Sequence, residues 1–172
     1  MRKVNFQELS MDYLTQLVKG AFLTVKHGER VNTMTIGWST LGYMWNRPVM
    51  MVPVRFSRYT HELIHEAQSF TVSVPIHKDL KKALALCGTK SGREMDKISA
   101  SGLTLALAQS EEIASPIIAD CELHIECKIV YKQAMDLTLL DEQIINTHYA
   151  SGDEHVLYYG EIVSAYYTGE EG

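Results

Sequence analysis

Two apolar runs, Met34 to Trp38 and Pro48 to Val54, are joined only by the segment Ser39 to Arg47. A parallel pair needs a crossover of a dozen residues or more, so so short a connection predicts that the two runs pair antiparallel. The second run closes in Arg55, Phe56, Ser57, Arg58, Tyr59 and Thr60, and His61 to Gln68 then takes helical spacing, with Leu63, Ile64 and Ala67 on one face. Strand gives way to helix at a corner carrying two guanidiniums and three hydroxyls. A helix start offers unpaired N–H groups and a favourable dipole, and guanidinium adds forked donors, so the corner suits a phosphate. The same residues also fit a helix capped by Thr60 with both arginines in solvent.

Before this stretch, Ser10 to Lys19 reads as a short helix and Ala21 to Val25 as a strand, with His27 to Arg30 forming a hairpin turn into Val31. Within Asn32, Thr33, Met34 and Thr35, polar groups cluster where a strand leaves its turn and can meet a ligand. The loop Ser39 to Arg47 carries Tyr43 and Trp45, which suit either rim packing or the cover of a flat ligand or a partner subunit. After the corner, Phe70 to Val74 alternates as a strand stopped by Pro75, and Leu80 to Leu86 reads as a helix ended by Gly88.

A second polar cluster follows, Thr89 to Lys97. Lys90, Arg93 and Lys97, two hydroxyls, and Gly92 form another candidate anion site, although a solvated loop fits equally and the P-loop spacing is absent. From Leu103 the pattern is extended. Cys121, Leu123, Ile125, Cys127 and Ile129 alternate with Glu122, His124, Glu126 and Lys128, which predicts one packed and one wet face. Gly160, inside the last extended run Val156 to Tyr167, marks a bulge or a close approach. Together these signals predict a mainly β chain, an antiparallel barrel or sandwich with a few short helices.

The 172 residues, 46% hydrophobic and 22% charged, suit one globular domain over 1–172. A net charge of -5 argues against a nucleic-acid partner, which would need a basic face. Cys87, Cys121 and Cys127 lack the spacing of a zinc knuckle or a disulfide framework, and no long apolar segment suggests a leader or membrane span. A cytoplasmic protein is the expectation. His61, Glu62, Leu63, Ile64 and His65 match the zincin pattern literally, but no obvious third ligand follows, and the match reads as chance. No metal site is therefore expected.

The segments N-T-M-T-I-G-W at 32–38, R-P-V-M-M-V-P-V-R-F-S-R-Y-T-H-E-L-I at 47–64, C-G-T-K-S-G-R-E-M-D-K at 87–97 and I-E-C-K-I at 125–129 resemble the flavin reductase-like family of FMN-binding split barrels, in its flavoredoxin-like branch. The resemblance implies a six-stranded antiparallel split barrel with Greek-key connections, a homodimer, and one FMN per subunit. By the same resemblance Asn32, Thr33, Met34 and Thr35 line the ring and ribityl chain. Arg55, Ser57, Arg58, Tyr59 and Thr60 hold phosphate and ribityl, and Ser91, Gly92, Arg93 and Lys97 close on the phosphate. It further implies an oxidoreductase taking hydride from NADH or NADPH, or else an electron carrier that meets a redox protein partner. Hydride transfer to flavin needs no acid, base or nucleophile from the chain, so no catalytic residue is assigned. Two departures stand out. Arg47 occupies a loop that is proline-rich in many relatives, and Glu154 interrupts a G-D-H motif at Gly152, Asp153 and His155, leaving His148 and His155 equal and weak candidates for a nicotinamide site.

Overall fold

The computed structural model describes residues 1–169. Its elements in chain order are β1 (Arg2–Lys3), α1 (Phe6–Leu17), β2 (Ala21–His27), β3 (Arg30–Ile36), β4 (Thr40–Met44), β5 (Arg47–Arg55), α2 (Tyr59–Glu66) and β6 (Ser69–Val74). There follow α3 (Lys81–Thr89), α4 (Lys97–Ala100), β7 (Leu105–Ala106), β8 (Ile117–Ile118), β9 (Leu123–Ala134), α5 (Glu142–His148) and β10 (His155–Tyr167). Seven strands run in the order β3-β2-β6-β9-β10-β5-β4, every pair antiparallel, and β1 adds to β10 as the eighth strand of the sheet.

β2, β3, β5, β6, β9 and β10 all send side chains into one buried cluster, among them Leu23, Ile36, Val52, Phe70, Ile125 and Tyr158. A single sheet can share one core among so many strands only by curling round it, which gives the split-barrel architecture. α1 closes the core with Leu9, Tyr13 and Leu17, and α2 with Leu63 and Ile64. A smaller cluster on the outer side of β2 joins Phe22 to Ala83, Leu84 and Cys87 of α3 and to Ile118.

Several expectations need correction. The runs of β3 and β5 do not pair with each other: β3 pairs with β2, and β5 lies between β10 and β4. The intervening segment is no loop, because Trp45 (φ 53) and Asn46 (φ 56) make a two-residue left-handed turn that folds β4 back onto β5, with Met44 opposite Arg47. α1 starts earlier than expected, at a cap where Asn5 accepts from the Glu8 N–H at 2.9 Å. α3 runs through Gly88 to Thr89, since Gly88 lets the helix lie against Thr35, whose Cβ would sit 3.4 Å from an added methyl.

The largest correction concerns β9. His124 and Glu126, expected on a wet face, are fully buried. The segment between α4 and β9 covers them. Glu126 accepts from the Gln109 and Ser110 N–H groups at 2.6 and 2.9 Å and from the Tyr166 hydroxyl at 2.6 Å, so the carboxylate anchors the covering segment. Gly160 is both the bulge and the close approach: pairing with β9 shifts register there, and an added Cβ would lie 2.6 Å from Cys127 Cβ and 2.7 Å from Phe70 Cζ.

Candidate functional site

β5 ends at Arg55 and α2 starts at Tyr59, so the chain turns sharply at Phe56 and Ser57. Arg58 is the N-cap of α2, in extended conformation, and places no side-chain bond on the first N–H groups of the helix. The His61 N–H turns back onto the Arg58 carbonyl at 2.9 Å, and the donors ahead of it, on Tyr59 and Thr60, stay available to an anion. The turn after α3 comes against this corner and completes a cradle of about 130 Å³, lined by Asn32, residues 57–60, residues 89–93 and Lys97. Three stretches far apart in sequence thus converge on one small hollow.

A buried and a half-buried cation stand beside it. Lys97, 4% exposed, donates from Nζ to the Cys87 carbonyl at 3.1 Å, and Arg58 donates from Nη1 to the Gly88 carbonyl at 2.9 Å. These carbonyls end α3, where the helix dipole favours positive charge. Among the described residues neither cation forms an ion pair with a carboxylate. Burial lowers the Lys97 pKa to about 8, with the Arg58 charge acting in the same direction. Burial also lowers that of Arg58. Gly92 is required here, since a Cβ would stand 2.7 Å from Tyr59 Cδ1 and closer still to the Asn32 amide oxygen. Asn32 in turn donates from Nδ2 to the Thr60 hydroxyl at 2.8 Å, tying β3 to the first turn of α2; Thr60 does not cap the helix.

Other residues singled out from the sequence are differently engaged. Arg93 forks onto Glu62, from Nε at 2.9 Å and Nη2 at 2.5 Å, and donates from Nη1 to the Ser57 carbonyl at 3.0 Å. Ser57 donates from its N–H and hydroxyl to the Asp153 carboxylate, at 2.9 and 2.6 Å. Arg55 turns away from the cradle, donating to the carbonyls of Asp153 (2.6 Å) and His148 (2.9 Å). Thr33 is buried and donates to the Leu23 carbonyl, and Thr35 donates to the Leu84 carbonyl at 2.6 Å. Met34 packs in the core. Asp153 and Glu62 are the site residues that sequence reasoning missed. Asp153 lies in the Gly152 to His155 segment, where the only sequence signal for a site is the histidine.

A second hollow of about 260 Å³ opens between the end of β3 and β5, lined by residues 34–38, Pro53, Arg55 and His155. Trp38 makes ring contacts there with His148 (5.1 Å) and His155 (5.4 Å). His155 shares a hydrogen bond of 2.8 Å between Nδ1 and the Tyr149 hydroxyl. Its pKa falls to about 4, through burial first and the Arg55 charge second, so the ring is neutral near pH 7. In the zincin-like stretch the rings of His61 and His65 lie 5.5 Å apart, and among the described residues no cluster of three metal-binding side chains forms.

Fold and site define a class: an antiparallel split barrel with a basic cradle at a strand-to-helix corner and a second hollow at the end of β3. The chain belongs to the flavin reductase-like family, whose domain model matches residues 19–172. A protein of Archaeoglobus fulgidus described as uncharacterized is 33% identical over 147 residues, covering 83% of this chain and 77% of its relative. Among solved structures, a flavoredoxin from Methanosarcina acetivorans is 27% identical with a TM-score of 0.66, over 88% of this chain and 68% of that one. The flavoredoxin of Desulfovibrio vulgaris (Miyazaki F) is 22% identical with a TM-score of 0.67, over 87% and 69% of the two chains, a likeness of fold.

Proposed function

We propose that the chain binds FMN and works as an oxidoreductase supplied with electrons by NADH or NADPH. The observation that carries this reading is the cradle, where a helix start without a side-chain cap, a buried and a half-buried cation without carboxylate partners and an indispensable glycine meet. That donor set fits the dianionic phosphate of FMN. Lys97, Arg58 and the first N–H groups of α2 would hold the phosphate, with Tyr59, Thr60, Ser91 and Gly92 around it. The strand from Asn32 to Thr35 would run beside the ribityl chain and ring, and Trp38 and neutral His155 would keep the hollow beyond largely dry. FMN, when bound, supplies the chemistry, accepting hydride from the donor and passing electrons onward.

The exposed ring of Trp45, in the β4–β5 turn, packs 6.2 Å from the exposed ring of Tyr131 on β9 and 6.3 Å from Tyr159 on β10, and together they form an apolar face. Such a face fits a second copy of this chain, and a homodimer is part of the reading. Free, buried Cys87, Cys121 and Cys127 support a reducing, cytoplasmic location. Among the described residues no helix is long and apolar enough to cross a membrane.

The same exposed face supports a second reading, a flavoredoxin-type electron carrier that meets a redox protein partner and has no nicotinamide site. The visible spectrum of the purified protein, with mass identification of whatever heat releases, tests the cofactor: flavin bands and released FMN are expected, and a spectrum that stays featureless after FMN is added removes it. Steady-state oxidation of NADH and NADPH by the FMN-loaded protein then separates the two readings. Turnover supports the reductase, and FMN binding with no turnover on either donor leaves the carrier.

A further inference from the structure

Thr35 lines the hollow beside Trp38 and donates from its hydroxyl to the Leu84 carbonyl at 2.6 Å. Leu84 itself lines a separate hollow of about 210 Å³, between the end of α1, the turn after β6 and the start of α3. Gly20 fits between them, since a Cβ there would stand 3.0 Å from Thr35 Cγ2 and 3.3 Å from Leu84 Cδ2. One layer of residues thus separates the two hollows. The outer one is basic: Lys19, His77, Lys78 and Lys81 line it, Lys82 adjoins it, and all are exposed. Four of the sixteen Lys and Arg residues in a chain of net charge -5 therefore crowd round one spot. Among the described residues none of these lysines forms an ion pair. Asp79, the carboxylate in the lining, accepts from the Lys81 N–H at 3.2 Å. Glu122 accepts from the N–H groups of Ile76 and Lys78 at 2.8 and 3.0 Å, which fixes the turn that carries the basic side chains. Beside them α1 shows solvent an apolar stripe, Met11, Leu14 and Val18, opposite its buried Leu9, Tyr13 and Leu17.

We propose that this face docks a small acidic electron-transfer protein, which takes electrons from the reduced flavin in the neighbouring hollow; the proposal rests on reading the hollow beside Trp38 as the seat of the FMN ring. An apolar stripe edged by unpaired cations has the make-up of a transient protein interface, apolar at its centre and charged at its rim. The Trp45 face fits a second copy, whereas this one lies a single residue layer from the ring, where an electron has the least distance to cross. Charge selects the partner. With a screening length of about 8 Å in physiological salt, an incoming protein meets the local lysines rather than the net charge of the chain, so a compact acidic patch is steered here. A long polyanion would run on past the lysines into the acidic remainder. Weak redox encounters bury less than about 1,200 Å², a demand that one helix face and a rim of lysines can meet. Two oxidised partners in succession each accept one electron from the reduced flavin, whose protons pass to water.

The test uses two small haem proteins of opposite charge as acceptors, the acidic soluble domain of cytochrome b5 and basic cytochrome c. Binding to the FMN-loaded protein is measured by calorimetry, and transfer from the chemically reduced protein by haem absorbance, at about 0.01 and about 0.15 M salt. The native protein is expected to bind cytochrome b5 and to reduce it several-fold faster at the lower salt. The double variant Lys78→Glu/Lys81→Glu is expected to weaken binding of cytochrome b5 and slow its reduction at least tenfold, and Leu14→Gln at least threefold, with FMN affinity unchanged. Reduction of cytochrome c should not slow in the double variant. Lys128→Glu, the same charge change at the far end of the β6–β9 pair, should leave cytochrome b5 within twofold of the native rate. No loss in the double variant, an equal loss in Lys128→Glu or an equal slowing with cytochrome c overturns the proposal. A changed oligomeric state in the variants overturns it in favour of a second copy on this face, and binding of inorganic pyrophosphate with none of cytochrome b5 in favour of a small anion. All these failures leave the FMN site standing. If FMN itself does not bind, the flavin reading falls, and this proposal with it.

Discussion

Lys97 owes its place to a contradiction between charge and burial. An ammonium that is 4% exposed pays a desolvation cost, which lowers its pKa to about 8, and the α3 carbonyls only partly offset it. An anion in the cradle would favour the charged form. FMN affinity is therefore expected to be full below about pH 8 and to fall as the pH rises through that value. In Lys97→Arg, whose guanidinium does not deprotonate, the slope between pH 7 and 9 should vanish. Titration of FMN binding across that range checks both statements. Arg58 and Arg93, equivalent in the sequence, are not equivalent in the fold. Arg58→Ala removes a half-buried, charge-assisted donor and should weaken FMN binding by about 1.5–3 kcal/mol. Arg93 is already committed to Glu62 at the surface, where an ion pair contributes roughly 0.2–1 kcal/mol, so Arg93→Ala should shift the Kd far less. Equal losses in the two variants would show that Arg93 abandons Glu62 for the ligand.

Elements meet most tightly where β9, β10 and β6 pass Gly160. Gly160→Ala forces a methyl between Cys127 Cβ and the Phe70 ring, neither at the free end of a flexible chain, and should destabilise the fold by about 1–3 kcal/mol in urea unfolding. The sequence announced this position, because a glycine inside an alternating run has few other meanings. It announced the strand-to-helix corner as well, since Arg55 to Thr60 follow an apolar run and precede helical spacing within a few residues. What it hid are contacts between distant segments. Period-two alternation placed Glu126 and His124 in water, for nothing local tells that the chain from Leu103 to Asp120 will lie over them. Asp153 bonds Ser57 across 96 positions, and no spacing rule reaches so far. Two adjacent apolar runs look like partners until an aromatic loop between them proves able to form a strand of its own.

Over the whole molecule, acid should act through two buried histidines. The ordinary histidine pKa of 6.5 is lowered to about 4 at both His124 and His155, chiefly by burial. Between these values the unfolded chain binds more protons than the native one, so stability falls as the pH drops from 6.5 toward 4 and is unaffected by these groups above 6.5. The melting temperature measured over that interval should decline, and His124→Gln should flatten the curve while lowering its plateau, because the bonds to Ser73 and Thr168 depend on the ring. The cradle has its own consequence at this scale. Its two cations keep carbonyl partners within the chain itself, with or without a guest. Nothing in the barrel has to collapse when the flavin leaves, and mild dialysis should yield a folded empty protein that can be reloaded with synthetic flavins of chosen redox potential.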